Sequence, residues 1–229
     1  MTDELRVILE IGKSGRRVVA GAADWPGLDR WGATEEAAVD TLAAYVDRYA
    51  GVAQRAGLRP ELDRAARQIT VVERVPGNSS TDWWGIAHVP SSLEKDGISG
   101  DELERRLRLL QACWAYFDDA VPRASAELRT GPRGAGWTRD EIERHVYKNE
   151  PESFTRKVGV RTPREVVLTP EGLAGHRSAT LEAIRAFHAE GRPARTWPIP
   201  FLVRRMAHHV MDHAWELEDR TLGPEGGSA

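Results

Sequence analysis

Apolar residues alternate with polar ones through short runs of the first eighty positions, then recur every three or four residues from position 99 onward. Leu5 to Ile11 (LRVILEI) and Arg17 to Ala23 read as β-strands on either side of Gly12-Lys13-Ser14-Gly15, a hairpin turn. Asp24-Trp25-Pro26-Gly27 then breaks the chain. Thr34 is placed to cap a helix whose first turn carries Glu35 and Glu36, where acidic groups meet the positive end of the helix dipole. Val39, Leu42, Val46 and Tyr49 form its apolar stripe. Gly57 and Pro60 end the helical region, and Ile69 to Val75 (ITVVERV) supplies a third strand. Residues 1–75 therefore predict a small β-β-α-β module.

Residues 76–98 are dense in Gly, Ser and Pro and read as a linker. An ordered boundary loop is expected there rather than a loose tether, because Trp83, Trp84 and Ile86 call for burial. Beyond it, Ser99 and Glu102 make a capping box. Leu103, Leu107, Leu110, Trp114 and Phe117 follow in a four-three-four-three rhythm that Pro122 stops. Thr138 and Glu141 open a second helix, expected to run to about Lys157. Thr169 with Pro170 opens a third, which Gly191 and Pro193 end. Pro198 and Pro200 precede a fourth, from about Phe201 to Arg220. The pattern predicts an α+β protein: the β-β-α-β module, then an all-α up-down four-helix bundle over residues 99–221, then a disordered tail at 222–229.

The composition narrows the function classes. A formal charge of −3 over 229 residues gives no basic field, so nucleic acid is not an expected partner. Lys13, Arg16 and Arg17 form only a small cluster at the hairpin. No run is long and apolar enough to span a membrane. Met1-Thr2-Asp3-Glu4-Leu5-Arg6 lacks the features of a signal peptide, and Cys113 is the only cysteine, so the expected location is the cytoplasm. Cys113 lies between apolar positions and reads as a buried structural thiol.

Histidine placement carries the candidate chemistry. Leu202, Met206, His209, His213 and Leu217 form the inward stripe of the fourth helix, so two imidazoles replace core residues one turn apart. On the second helix His145 follows Ile142 along a similar seam. One HxxxH pair is a weak signal. Two inward histidines with a third from a neighbouring helix suit one divalent metal, zinc foremost, with nickel or iron(II) as alternatives. His176 is either a fourth ligand or, on the favoured reading, a surface residue near a helix start. His188 reads as a dipole partner, and His208 points to another face. Asp212 and Glu216 are candidates to orient an imidazole, with a solvated position preferred for Glu216. Arg204 and Arg205 are expected to face water, with anion binding as a minor reading.

Two resemblances follow. Trp137-Thr138-Arg139-Asp140-Glu141-Ile142-Glu143-Arg144-His145-Val146 and His209-Val210-Met211-Asp212-His213 resemble the metal-histidine segments of the DinB-like (YfiT-like) bundle superfamily, over roughly residues 99–220. That resemblance implies a metal triad of His145, His209 and His213. It also implies a small-molecule enzyme: a thiol-dependent, mycothiol-type S-transferase or isomerase, or a hydrolase, with a thiol as co-substrate. The first third of the chain, through Trp25-Pro26-Gly27, Gly32 and Glu35-Glu36-Ala37, resembles HicB-like antitoxin domains. It implies a module for pairing or binding, with a homodimer among the arrangements it allows. The competing expectation is a non-catalytic scaffold whose N-terminal module engages a protein partner.

Overall fold

The structure, a computed structural model, describes residues 3–131 and 136–222. Its sheet grows from β1 (Leu5–Ile11), which pairs antiparallel with β2 (Val18–Ala22) through the expected hairpin. Gly15 supplies that turn's left-handed residue at φ 70°. β4 (Ile69–Pro76) lies parallel to β1 on its other side. The sheet has a fourth strand that the hydrophobic pattern did not predict. β3 (Asp29–Gly32) pairs antiparallel with β2, giving the order β3-β2-β1-β4. Asp29-Arg30-Trp31-Gly32 has no apolar alternation, and it is a strand because the turn at Trp25–Leu28 folds it back onto β2.

Alternation decides which element covers which face. Leu5, Val7, Leu9, Val18, Ala20 and Ala22 face α1 (Glu35–Arg55), whose Ala38, Leu42, Tyr49 and Ala53 are fully buried. Thr34 caps α1 by accepting from the Ala37 amide at 3.1 Å. A short α2 (Arg59–Ala65) leads back to β4. The opposite face carries Ile8, Ala23 and Val75, and these meet Val89 and Leu93 from the expected linker. Residues 76–98 are thus folded onto the sheet. Asn78 caps α3 (Ser79–Trp84) and Ser91 caps α4 (Ser92–Lys95), each through a capping box. Glu10, 1% exposed, anchors the segment by accepting from Thr81 Oγ1 at 2.5 Å and from the His88 and Val89 amides at 2.9 Å. The burial expected for the tryptophans does not occur: Trp83 is 67% exposed and Trp84 49%.

Four longer helices complete the described chain: α5 (Gly100–Arg123), α6 (Arg139–Asn149), α7 (Pro170–Ala189) and α8 (Ile199–Arg220). Ser99 caps α5, while the Glu102 carboxylate turns to Arg106 at 2.8 Å. α6 ends eight residues earlier than its periodicity suggested. Pro151 has no amide hydrogen to continue the ladder, so the chain widens into a π turn at Glu150–Phe154 and then tightens into a 3-10 turn at Thr155–Val158. The buried pair Arg177–Glu150, at 2.9 Å, holds that turn against α7.

One apolar cluster runs without interruption from β1 through α1 to α5, α6 and α8. Tyr49 donates its hydroxyl to the Pro26 carbonyl at 2.6 Å. Gly27, at φ 97°, is seated so closely that a β-carbon there would lie 3.1 Å from both Cys113 Sγ and Met211 Cγ. The turn of the N-terminal part is therefore a plug between α5 and α8. Among the described residues no helix is long and apolar enough to cross a membrane. Of the expected tail, residues 223–229 lie outside the described residues.

Candidate metal centre

α6 and α8 bring His145, His209 and His213 together. Thr138 starts α6 with a reciprocal capping box to Glu141, and Ile142 and Val146 are fully buried against the helical core. The position between them on that face sends His145 towards α8. On α8, Met206, Val210, Ala214 and Leu217 are at most 1% exposed, which fixes the rotation that presents His209 and His213. Ring centroids stand 5.1 Å apart for His145–His209, 4.9 Å for His145–His213 and 4.8 Å for His209–His213. One nitrogen from each ring lies within 4.8 Å of the other two. A tetrahedral ion with bonds of about 2.0–2.1 Å wants those nitrogens roughly 3.3 Å apart, within reach of small side-chain rotations. All three histidines are intermediate in exposure as residues, neither fully buried nor solvated.

The electrostatics favour the ligand form of the rings. Burial lowers the His145 pKa to about 4, and the neighbouring His213 adds to the effect. His209 is held well below its ordinary value, first by burial and then by His213 and His145. Both rings are neutral at pH 7, as coordination requires. His213 Nδ1 meets Glu216 Oε2 at 2.9 Å, which leaves Nε2 to point into the cluster. Burial works against ionisation of Glu216, but His213 and Arg220 together hold its carboxyl below the usual range. Arg220, 4% exposed, donates Nη1 to Glu216 at 2.5 Å, Nε to the Arg129 carbonyl at 2.7 Å and Nη2 to the Trp137 carbonyl at 2.8 Å. The solvated position expected for Glu216 is therefore wrong. Its signal was present in the i, i+3 spacing from His213 and the i, i+4 spacing to Arg220.

The sequence assigns no role at the site to three aromatic or polar neighbours, although Trp137 stands in the motif of the bundle resemblance and Asn149 lies on the seam of Ile142 and His145. The Trp137 ring lies 4.9 Å from His145, and Phe154, carried by the π turn, lies 5.6 Å from His209. Asn149 Nδ2 is 3.3 Å from His209 Nε2. π turns recur where helices are bent to serve a site, and here one delivers Phe154.

The remaining candidates fall elsewhere. His176 is not a surface residue but 2% exposed, with Nδ1 2.8 Å from Thr162 Oγ1, and it stands outside the triad. Burial lowers its pKa to about 4. His188 Nε2 meets the Ile98 carbonyl at 2.8 Å. His208, 5% exposed, faces away from the cluster with its pKa lowered to about 3 by burial. Asp212 binds Arg30 at 3.0 Å. Arg204 and Arg205 do not face water: they are 2% and 7% exposed, and Arg204 lies 3.3 Å from Asp29 and 3.2 Å from Glu94, joining α8 to β3 and α4. Cys113 is fully buried and its thiol pKa is pushed well up by that burial, as a structural residue requires. Two clefts of the surface are lined by residues other than these histidines. One of about 480 Å³ is lined by Arg6, Asp24, Trp25, Arg105 and Arg106 among others, and includes no member of the triad. Comparison of the chain with protein-family models, with curated proteins and with solved structures returned no match.

Proposed function

We propose that this protein is a metal-dependent small-molecule enzyme of the DinB-like kind, holding one divalent cation, zinc foremost, through His145, His209 and His213. The observation that carries the reading is the convergence of three imidazoles from two helices, with one nitrogen of each within 4.8 Å of the others. The partial exposure of all three supports a catalytic site with an open position over a closed structural one. Bound there, the cation would lower the pKa of a thiol or water, or polarise a carbonyl or epoxide oxygen. The chain's own groups do the rest. Glu216 fixes the tautomer and direction of His213, Trp137 buttresses the His145 ring, and Phe154 shields the His209 side from water. A thiol-using S-transferase or isomerase is the favoured reaction class, because the thiolate is the group a cation activates at neutral pH without a separate base, and Cys113 is too deeply buried to serve.

The test is elemental analysis of the purified chain. About one equivalent of zinc, nickel or iron per chain is expected, lost in His209→Ala and in His213→Ala. Metal-free protein whose melting temperature does not respond to added zinc would overturn the reading. Trp31 at 42% and Trp83 at 67% exposure support a second function, in which the N-terminal part docks a protein partner. Pull-down with and without Trp83→Ser separates that role from the metal centre.

A further inference from the structure

We infer that Trp31, Trp83 and Trp84, with the basic hairpin tip beside them, dock an acidic segment of another protein that also carries large apolar side chains. The inference rests on the second reading above, in which the N-terminal part docks a partner, and names that partner's chemistry. Trp83 is 67% exposed, Trp84 49% and Trp31 42%, and the three rings form one patch. Trp83 and Trp84 stand 6.3 Å apart at 81°. Arg17 joins that pair to Trp31. Its Nη1 donates to the Trp83 carbonyl at 2.7 Å, and its guanidinium carbon lies 4.5 Å from the Trp31 ring centroid. Gly85, left-handed at φ 68°, ends α3 so close to Trp31 that a β-carbon there would lie 2.8 Å from the indole.

The exposure of the rings is built into the local structure. Asn78 caps α3 at one end and Gly85 closes it at the other. Asp82, 6% exposed, accepts from the Ser14 amide at 2.6 Å and the Arg16 amide at 3.1 Å, which locks the tip of the β1–β2 hairpin to α3. Rings fixed before contact lose little entropy on binding, and Trp with Arg is the composition of interface hot spots. Together the exposed parts of the three indoles present roughly 250–400 Å², the scale of a functional surface patch.

Charge selects the occupant. Lys13 and Arg16 are exposed at the tip, Arg17 is half-buried beside them, and none of the three forms an ion pair among the described residues. The Asp82 carboxylate is committed to backbone amides. The tip beside the rings is therefore positive although the chain carries a formal −3, and it attracts acidic groups. The corner between the perpendicular indoles takes the partner's apolar side chains. Two other anionic partners fit less well. A nucleobase cannot stack on the face of Trp31 that Arg17 covers. Consecutive helix positions point about 100° apart, so Trp83 and Trp84 do not enter a flat lipid surface side by side.

The experiment pans a random dodecapeptide library displayed on phage against the full chain, followed by anisotropy titrations of the selected peptides. Those peptides are expected to carry an excess of Asp and Glu over the unselected library, with at least one large apolar residue each. Their affinity should fall about tenfold or more in Trp83→Ser/Trp84→Ser and in Lys13→Glu/Arg16→Glu, with circular dichroism and melting temperature unchanged. Peptides without that excess, or indifferent to Lys13→Glu/Arg16→Glu, overturn the inference and leave the docking reading standing where they still need Trp83 and Trp84. No enrichment, or binding that survives the tryptophan substitutions within twofold, overturns both. Phosphatidylglycerol vesicles and a single-stranded oligothymidylate are run beside the peptides. Tryptophan-dependent binding to either one in place of peptides also overturns the inference.

Discussion

Replacing Glu216 with alanine leaves all three candidate ligands in the chain and removes only the group that directs one of them. In the structure Glu216 Oε2 is 2.9 Å from His213 Nδ1, and Oε1 is 2.5 Å from Arg220. Without the carboxylate, His213 loses the bond that sets its tautomer and its ring becomes less basic. Losses of this kind cost about 10–100-fold in metal affinity, equivalent to roughly 1.4–2.7 kcal/mol. Glu216→Gln keeps an acceptor for Nδ1–H but gives up the charge, so its loss should lie nearer tenfold. Arg220 retains the Arg129 and Trp137 carbonyls in either variant, and the local helix end should persist. Competition for zinc against a chromogenic chelator at pH 7.5 reads the affinities, and thermal melts in chelator check folding. Affinity ordered parent, Gln, Ala is the expected result. An alanine variant within twofold of the parent would refute the orienting role, since it would show that His213 does not depend on the carboxylate it touches.

Two further outcomes follow from the buried polar groups. The His176 pKa is lowered to about 4, mainly by burial and next by Arg177, against about 6.5 in an unfolded chain. Its contribution is complete above pH 6.5 and is lost as pH falls towards 4, reaching about 3 kcal/mol, so urea denaturation in chelator between pH 7.5 and 4.5 should show a shallower decline for His176→Gln than for the parent; parallel curves would contradict this. Glu10→Ala strands the Thr81 hydroxyl and the His88 and Val89 amides and should cost about 3 kcal/mol or more, with faster hydrogen exchange at those two amides as the specific readout.

The triad was legible because helical spacing is a local property. His209 and His213 replace apolar residues on a stripe anyone can draw, and the Thr138 capping box fixes where the helix of His145 begins. The caps at Thr34, Ser99 and Thr169 were readable for the same reason. What escaped depends on partners distant in sequence. β3 has no pattern of its own and exists through β2. His176 is buried by Thr155 and Thr162, which arrive on irregular backbone after the π turn. Arg204 is tolerated in the interior because Asp29 and Glu94 come from two other elements. Trp83 misled in the opposite direction: its indole argues for burial, but the Asn78 cap and the Asp82 contacts to the Ser14 and Arg16 amides orient α3 so that the ring faces out. The expected resemblance of the bundle rested on two histidine motifs, and that of the N-terminal part on a turn and an acidic helix start that many chains share.

The seat of Gly27 has a consequence for how such a chain changes over time. Its backbone fills a slot whose walls are a thiol from one helix and a thioether from another, so a bulkier side chain at the tip demands smaller ones at positions 113 and 211 at once. Neither half can be exchanged as a ready-made cassette for an unrelated counterpart. Sheet and helices are bound to drift as a matched pair, like a key and lock cut on the same bench.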